Sequence, residues 1–250
     1  MKIWVVNLSN RKTATAFLSL ALVLVIALAT AVGIFTSIYG EDIINASTDS
    51  VLRNKIVIID AGHGGEDPGA TGVNGVYEKD LNLQIALEMG RVFEDKGYTV
   101  VYTRTDDRLL YTEEENIHGI RKISDLKNRC KVGDKYPEAL FISVHMNSFG
   151  SSKYSGLQVY YTENNDDSRL LADAIQNKVA EDIQKDNKRV IKPGKNMYIL
   201  ENISNTAVLI ECGFLTNEAE CKKLSQKEYQ KELSFSIVCG IIEYIEKNNK

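Results

Sequence analysis

Short runs rich in β-branched residues alternate with longer amphipathic runs throughout residues 55–247, and this alternation restricts the fold more than any other feature of the sequence. The strand-like runs are KIVIID (55–60), YTVVYTR (98–104), ALFISVHMN (139–147), GLQVYYT (156–162), MYIL (197–200) and AVLIECGF (207–214). Helical periodicity extends over residues 80–97, 123–134, 168–185 and 227–247. Strands and helices that alternate in this way indicate βα units. We therefore expect an α/β fold, a single three-layer domain whose mostly parallel central sheet is flanked by helices.

The ends of the amphipathic runs predict where helices begin and stop. In residues 80–97 the apolar side chains share one face, and Gly97 is the expected stop. The run 123–134 is expected to begin at Ser124, a residue type that caps helices. Residues 105–122 follow neither period and are rich in charge, so we expect a surface insertion or a mobile loop there.

Residues 13–39 form an apolar run without a charged residue, long enough to cross the ~30 Å core of a bilayer as a helix. Basic residues precede the run and acidic residues follow it, which predicts that the rest of the chain lies outside the cytoplasm. Two interpretations stay open for residues 1–40: a permanent membrane anchor, or a secretory signal peptide cleaved after Ala29-Thr30-Ala31. Residues 41–54 are polar and are predicted to be a linker to a folded domain at residues 55–250.

The charge of the chain argues against a nucleic-acid partner. The chain has 30 basic and 34 acidic residues, a formal net charge of −4. Three of the basic residues and no acid lie in the first 40 residues, so the predicted folded domain is more acidic than the whole chain. Phosphate backbones require a basic face, and we expect no nucleic acid among the partners.

Two of the three histidines follow predicted strands. His63 lies in AGHGGEDPGA just after KIVIID, and His145 ends FISVH. In open α/β sheets ligands gather at the carboxyl ends of the strands, so both side chains are expected at one edge of the sheet. A lone histidine is more often structural than metal-binding, but two histidines at strand ends beside acidic residues favour a metal site.

A catalytic zinc site needs three protein ligands and one open position. Acidic residues near His63 provide candidates for the third ligand: Glu66, Asp67, Glu78 and Asp80. Glu78 stands at the expected start of a helix, from which it could point back at the strand ends. Its alternative role is to complement the positive end of the helix dipole, and its position alone does not decide between the two.

Glu211 closes the apolar run AVLI at the end of a predicted strand. A charged residue there is costly if it is buried without a partner. Water activated by a metal ion would be such a partner, and a side chain that reaches solvent is the alternative.

Four ordered motifs together resemble the zinc-dependent N-acetylmuramoyl-L-alanine amidases (amidase type 3), which are bacterial cell-wall hydrolases. They are IDAGHGGEDPGA, Glu78 after it, FISVHMNS, and VLIECGFLTN. The resemblance extends over about residues 55–247, so it implies that residues 55–250 are a catalytic amidase domain. It implies one Zn²⁺ per chain, with His63, Glu78 and His145 as the metal ligands and Glu211 as the catalytic residue. GKNMYILEN (194–202) resembles the strand that precedes the last motif in the family.

The implied reaction is hydrolysis of the amide between the lactyl group of muramic acid and L-Ala of the peptidoglycan stem peptide. The lack of wall-binding repeats and the segment 105–122 resemble the spore-cortex branch of the family, which modifies the spore wall for germination. The chain departs from the family at Ser204-Asn205-Thr206, where a proline is usual, and at Cys130-Lys131.

Three alternatives share the same sequence features. The ligands and the glutamate would also serve a zinc peptidase that acts on another cell-wall amide. The chain could be a wall-binding protein without activity, which the intact ligand set disfavours. It could also be an amidase that needs an activating protein partner to order its site.

Overall fold

The computed structural model describes residue 15 and residues 19–31, 33–34, 56–73, 75–117, 119–163 and 165–248. Contacts divide the chain into two units, Met1–Leu52 and Arg53–Lys250, which are described separately. The described residues of the first unit are helical, and their large apolar side chains are exposed, by 54% at Ile26 and 70% at Leu28. Within the described part of the chain, no helix has the length and hydropathy needed to cross a membrane. The remainder of the apolar run 13–39 and the predicted linker 41–54 lie outside the described residues.

The second unit alternates strands and helices as predicted. In chain order its elements are β1 (Ile56–Ala61), α1 (Glu78–Asp95), β2 (Thr99–Tyr102), a 3₁₀ turn (Glu113–Glu115), α2 (Arg121–Asp134), β3 (Leu140–Asn147), β4 (Gln158–Tyr161), α3 (Asp166–Asp182), β5 (Lys192–Pro193), α4 (Tyr198–Asn202), β6 (Ala207–Phe214), α5 (Glu218–Leu224) and α6 (Lys227–Asn248).

Six strands form one sheet in the order β2-β1-β3-β6-β4-β5. The four strands β2, β1, β3 and β6 are parallel. β4 runs antiparallel to β6, and β5 is parallel to β4. The prediction of a mostly parallel sheet is confirmed. The carboxyl ends of β1, β3 and β6 therefore meet at one edge of the sheet.

The two faces of the sheet are covered to different extents. One face carries Ile59, Ile142 and Ile210 and packs under α1, α3 and α6 in a large core cluster. The other face carries Ile58 and Phe141 and packs against the shorter helices α2 and α4 in a smaller cluster. Side chains alternate between the faces of a strand. Beyond its apolar cluster, toward the carboxyl edge, this second face therefore carries polar side chains: Asp60, Ser143, His145 and Glu211.

The predicted strand MYIL (197–200) is wrong, because these residues enter the short helix α4. Ile199 and Leu200 are buried in the smaller core cluster, and the Asn202 amide donates a hydrogen bond to the Tyr198 carbonyl. A four-residue apolar run has no period that separates a strand from a buried helical turn. The sheet position beside β4 is taken by β5 instead.

The prediction that Ser124 caps α2 is also wrong. The helix begins at Arg121, and the residue before it, Ile120, makes no side-chain capping hydrogen bond. Ser124 is buried in the first turn, where its amide donates to the Ile120 carbonyl. Tertiary packing thus extends the helix beyond the local capping signal.

The described residues of the segment 105–122 form a surface insertion that is tied to α2. The Leu110 amide donates to Asp125 Oδ1 at 2.7 Å, and Asn128 donates back to the Leu110 carbonyl. Reciprocal hydrogen bonds between Thr112 and Glu115 close the 3₁₀ turn.

Phe93 provides a test of the larger core. Its side chain is fully buried on the inner face of α1 and lies edge-on to Tyr98, with 5.5 Å between ring centroids. Phe93→Ala should lower the free energy of unfolding by ~3–5 kcal/mol, through lost burial and the cavity left behind. Phe235→Ala is the matched control, since Phe235 is 51% exposed, and it should cost under ~1 kcal/mol. Urea unfolding followed by circular dichroism measures both, and equal losses would contradict this description of the core.

Candidate metal centre and active site

The loop between β1 and α1 carries His63 in a backbone conformation that few side chains adopt. His63 has a φ of 62°, and Gly64, Gly65 and Gly69 also have positive φ. Positive φ is uncommon for residues with a Cβ. At Gly69 a Cβ would also lie 2.5 Å from Glu78 Oε2. The surrounding structure must therefore hold the loop in place.

A buried arginine from α2 holds the first part of this loop. Arg129 is 1% exposed. Its Nη1 donates to the Ala61 carbonyl at 2.7 Å, and its Nη2 donates to the His63 carbonyl at 2.7 Å. The same guanidinium pairs with Asp60 at 2.7 Å and with Asp125 at 2.8 Å. These contacts connect α2 to the end of β1 and fix the backbone at His63.

A second buried arginine, Arg104, follows β2 and binds the same loop. Its Nε donates to the Ala61 carbonyl at 2.9 Å, and its Nη2 donates to the Gly62 carbonyl at 3.0 Å. Nη2 also donates to the Lys79 carbonyl in α1 at 2.8 Å. Guanidinium groups thus bind three successive carbonyls, those of residues 61, 62 and 63.

Asp60 is the buried anion that balances Arg129. Its carboxylate accepts hydrogen bonds from Ser143 Oγ at 2.6 Å and from Thr103 Oγ1 at 2.7 Å. Burial raises the pKa of Asp60, but attraction to Arg129 and the two hydroxyl donors outweigh burial, so the pKa lies below its usual 3.8. Asp60 is therefore ionised and connects β1 to β2 and β3.

His145 lies near the end of β3, the strand that pairs with β1. The expectation that His63 and His145 follow neighbouring strands at one edge is confirmed, and their ring centroids are 4.9 Å apart. A Cβ at Gly62 would lie 2.2 Å from His145 Nε2. Only glycine leaves room there for the imidazole beside the loop.

Glu78 is the first residue of α1, and its carboxylate lies between the two histidines. Oε1 is 3.2 Å from His63 Nε2 and 2.9 Å from His145 Nδ1. Oε2 accepts the Ala70 amide at 2.8 Å. Burial raises the pKa of Glu78, but the hydrogen bonds with both histidines outweigh it and hold the pKa well below its usual range.

Donor atoms of His63, Glu78 and His145 all lie within 4.8 Å of one another, so these side chains could hold a metal ion. The structure thus brings together all three of the ligands predicted from the sequence. Two imidazole nitrogens and one carboxylate oxygen, with the remaining positions open, are a donor set typical of catalytic zinc. The third histidine, His118, lies outside the described residues.

Among the other acids that the sequence offered as ligands, Asp67 has a supporting position. Its Oδ2 lies 2.9 Å from His63 Nδ1, which leaves His63 Nε2 directed at Glu78. Burial lowers the pKa of His63, but Asp67 and Glu78 together raise it to about 9. Carboxylates that bind the second nitrogen of a histidine commonly orient it toward a metal ion. Glu66 instead pairs with Arg121, and Asp80 is not in the donor group.

Glu211 lies opposite His145 in the register of β3 and β6, so both side chains project from the same face. Its Oε2 is buried and has no hydrogen-bond partner among the described residues. Burial is the largest influence on Glu211 and raises its pKa to about 7, helped by the charge of Glu78 and opposed by the two histidines. A buried carboxylate oxygen without a partner is expensive, and here it lies beside the three donor groups.

The sequence profile described as N-acetylmuramoyl-L-alanine amidase matches residues 57–243. The chain belongs to the N-acetylmuramoyl-L-alanine amidase family. It is 33% identical over 193 residues to the germination-specific N-acetylmuramoyl-L-alanine amidase of Bacillus subtilis, an alignment that covers 77% of this chain and 81% of the relative.

Solved amidase structures agree with this assignment. The CwlD amidase from Clostridioides difficile, solved in complex with the GerS lipoprotein, is 40% identical. Its TM-score is 0.75, over 78% of this chain and 100% of that chain. The catalytic domain of the amidase CwlV from Bacillus (Paenibacillus) polymyxa is 32% identical, with a TM-score of 0.65 over 77% of this chain and 98% of that chain. The family resemblance derived from the four motifs is thus confirmed, and the protein is an amidase.

Sequence reasoning missed the residues that hold the loop between β1 and α1, which carries His63, in this amidase. Asp60 closes an apolar strand run just as Glu211 does, so the same argument about a buried charge applied to it. Arg104 and Arg129 had no such local signal, although Asp125 lies four residues before Arg129 on α2. The loop carbonyls that both arginines bind are distant in sequence, and only the fold brings them together.

Arg129 provides a test of this network. Arg129→Gln should lower the free energy of unfolding by ~3–5 kcal/mol, because it leaves Asp60 buried without its cation. Lys131→Gln is the control, since Lys131 is exposed on the same helix, and it should cost under ~1 kcal/mol. Urea unfolding at neutral pH measures both variants. A loss at Arg129 no larger than that at Lys131 would show that the pair does not stabilise the fold.

Proposed function

We propose that this amidase is zinc-dependent and cleaves the amide between the lactyl group of muramic acid and L-Ala of peptidoglycan stem peptides. The observation that carries the proposal is the partnerless buried oxygen of Glu211, on the same sheet face as His145 and beside the other two donors. His63, Glu78 and His145 would hold the metal ion, and the Glu211 oxygen would be free to accept a proton from water.

The donor set supports one Zn²⁺ per chain. Two imidazoles and one carboxylate suit zinc and leave a position open for catalysis. Asp67 holds the second nitrogen of His63, and the Ala70 amide holds the second oxygen of Glu78. Bound Zn²⁺ supplies Lewis acidity, which polarises the scissile carbonyl and makes water a stronger acid.

Glu211 then provides the proton transfers. Its carboxylate takes the proton of the attacking water and delivers it to the departing nitrogen of L-Ala. An amide nitrogen leaves poorly unless it is protonated, so this second transfer is as necessary as the first. The reaction needs no covalent intermediate on the enzyme.

The proposed role is in the spore cortex, in the muramic-lactam pathway needed for germination. The related Bacillus subtilis protein is named germination-specific, and cell-wall amidases are among the other relatives.

We propose the same division of this chain as the sequence predicts: residues 1–40 as an anchor or signal peptide, 41–54 as a linker and 55–250 as the catalytic domain. Residues 13–39 would deliver the domain to the outer side of the cytoplasmic membrane, and the exposed apolar side chains of residues 19–31 support that role.

A protein partner that activates the amidase is part of the proposal. The related CwlD amidase was solved in complex with a lipoprotein. An anchored or secreted amidase of this kind would meet such a partner outside the membrane.

Glu211→Gln should lower the rate of muropeptide hydrolysis by ~10²–10⁴-fold, the usual contribution of a general base, while the protein keeps its zinc. Mass spectrometry of the products measures the rate and the cleaved bond, and metal analysis measures zinc content. Glu228→Gln on the exposed first turn of α6 is the control and should keep full activity.

Two results of the same experiment would contradict the proposal. Full activity of Glu211→Gln would show that another group is the base. A wild-type product shortened within the stem peptide, instead of a free peptide that begins with L-Ala, would identify a peptidase.

Two glutamates test which residue is the third ligand: Glu78 at the start of α1 and Glu66 in the loop before it. Glu78→Gln should weaken zinc binding by more than ~100-fold, since even residues that only support ligands contribute 10–100-fold. Glu66→Gln should bind zinc normally, because Glu66 pairs with Arg121 outside the donor group. Zinc titration of chelator-treated protein by calorimetry measures both, and normal binding by Glu78→Gln would remove Glu78 from the ligand set.

A further inference from the structure

A concave region lies near the proposed active site, on the same face of the sheet. It is a cavity of about 300 Å³, which we name the cation pocket. Aromatic and polar side chains line it, among them Phe149, Tyr154, Phe214, Gln158, Arg189 and Lys192.

The register of the strands places this pocket next to Glu211. Gln158 of β4 pairs with Glu211 of β6 across the antiparallel ladder, so the two side chains share a face. Tyr160, two residues on, also lines the pocket and pairs with Lys192 of β5. The pKa of Tyr160 is raised by burial and by the charge of Glu211, which agrees with their closeness. The backbone of Lys192 thus lies two strand spacings across and two residues along from that of Glu211, roughly 12 Å away.

Arg189 is held rigidly in the wall of the pocket. Its Nε donates to the Ser155 carbonyl at 2.7 Å, and its Nη1 donates to Gln158 Oε1 at 2.9 Å. The guanidinium also lies over the Phe214 ring, with 4.3 Å from Cζ to the ring centroid. Because these contacts are already formed, little side-chain entropy remains to be lost when a ligand binds.

Neither cation of the pocket, Arg189 or Lys192, forms a salt bridge with an acid among the described residues. The nearby Glu220 is buried and uses both carboxylate oxygens on backbone amides, those of Gly156 and Phe214. Glu220 therefore acts on Arg189 through its charge without a hydrogen bond to the guanidinium, whose Nη2 stays available to an anion.

The chemistry of the proposed substrate identifies that anion. The lactyl carboxyl of muramic acid is consumed in the scissile amide, whereas the stem peptide still carries free carboxylates. An extended peptide advances ~3.3–3.6 Å per residue, so roughly 12 Å is the reach of three to four residues, and the long side chain of Lys192 brings the third within range. Arginine and lysine bind carboxylates through charge-assisted hydrogen bonds.

We propose that the cation pocket is the stem-peptide subsite of this amidase and that Arg189 and Lys192 bind a carboxylate within the first three residues of that peptide. This inference rests on the proposed function for the identity of the substrate. It makes the two cations specificity residues that select acidic over amidated stem peptides.

The test compares two muramoyl tripeptides, one with free carboxylates and one in which every carboxylate is a carboxamide. The full-length, zinc-loaded wild type should favour the acidic substrate by about tenfold or more in kcat/KM, mainly through a lower KM. A tenfold preference corresponds to the contribution of one charge-assisted hydrogen bond. Lys192→Met should reduce this preference several-fold. Lys192 is exposed, so the variant should fold.

Lys188→Met is the matched control, since Lys188 is exposed and lines a neighbouring cavity but not the cation pocket. It should keep the wild-type preference. Arg189→Lys, which keeps the charge and loses the fork of donors, should retain part of the preference. Equal kcat/KM for both substrates in the wild type, or equal losses on both substrates in Lys192→Met, would overturn the proposal.

A binding measurement separates this proposal from the proposed function. Calorimetry of the zinc-free protein with the released tripeptide, in acidic and amidated form, reports on the pocket without catalysis. Hydrolysis of neither substrate would refute the proposed function, and tighter binding of the acidic peptide would still support the pocket. Hydrolysis without any difference in peptide binding between the two forms would refute the pocket alone.

Discussion

The ion pairs and hydrogen bonds of the buried Arg129 guanidinium hold the loop that carries His63, and the geometry of the site depends on them. It joins Asp60 at the end of β1, Asp125 in α2 and the carbonyl of His63 in a single set of hydrogen bonds. Taking a cation and two anions out of water costs several kcal/mol per ion, and only close pairing with full hydrogen bonding offsets that cost. These contacts therefore form in one geometry only. That geometry holds the loop between β1 and α1 in a conformation with a positive φ at His63, which a residue with a Cβ seldom adopts.

The unequal covering of the sheet explains why the site can exist at this edge. Long helices cover one face completely, and that face is apolar along its length. On the other face the apolar cluster under α2 and α4 ends before the carboxyl edge. The strands are therefore apolar under α2 and α4 and carry polar side chains at their carboxyl ends: Asp60, His145 and Glu211.

The same face continues from the donor groups to the pocket beyond β4. His145 and Glu211 are neighbours across β3 and β6, and Gln158 is the next neighbour across β4. A substrate that lies across the strands would meet the metal donors, the proposed base and the two cations in turn. Gln158 of β4 and the guanidinium of Arg189, which donates a hydrogen bond to it, extend this row.

The sequence by itself determined the class of fold, most strand positions and the two histidines at strand ends, because apolar periodicity and strand-end positions are local properties. The family motifs added Glu78 and Glu211, which position alone left undecided. Tertiary structure decided the rest. Tyr198-Ile199-Leu200 became part of helix α4 because a short apolar run takes whichever form its neighbours allow. Packing against the rest of the fold extended α2 to residues before Ser124. The contacts of Arg104, Arg129 and Arg189 join residues that are far apart in sequence, and a local pattern holds no information about such pairs until the chain is folded.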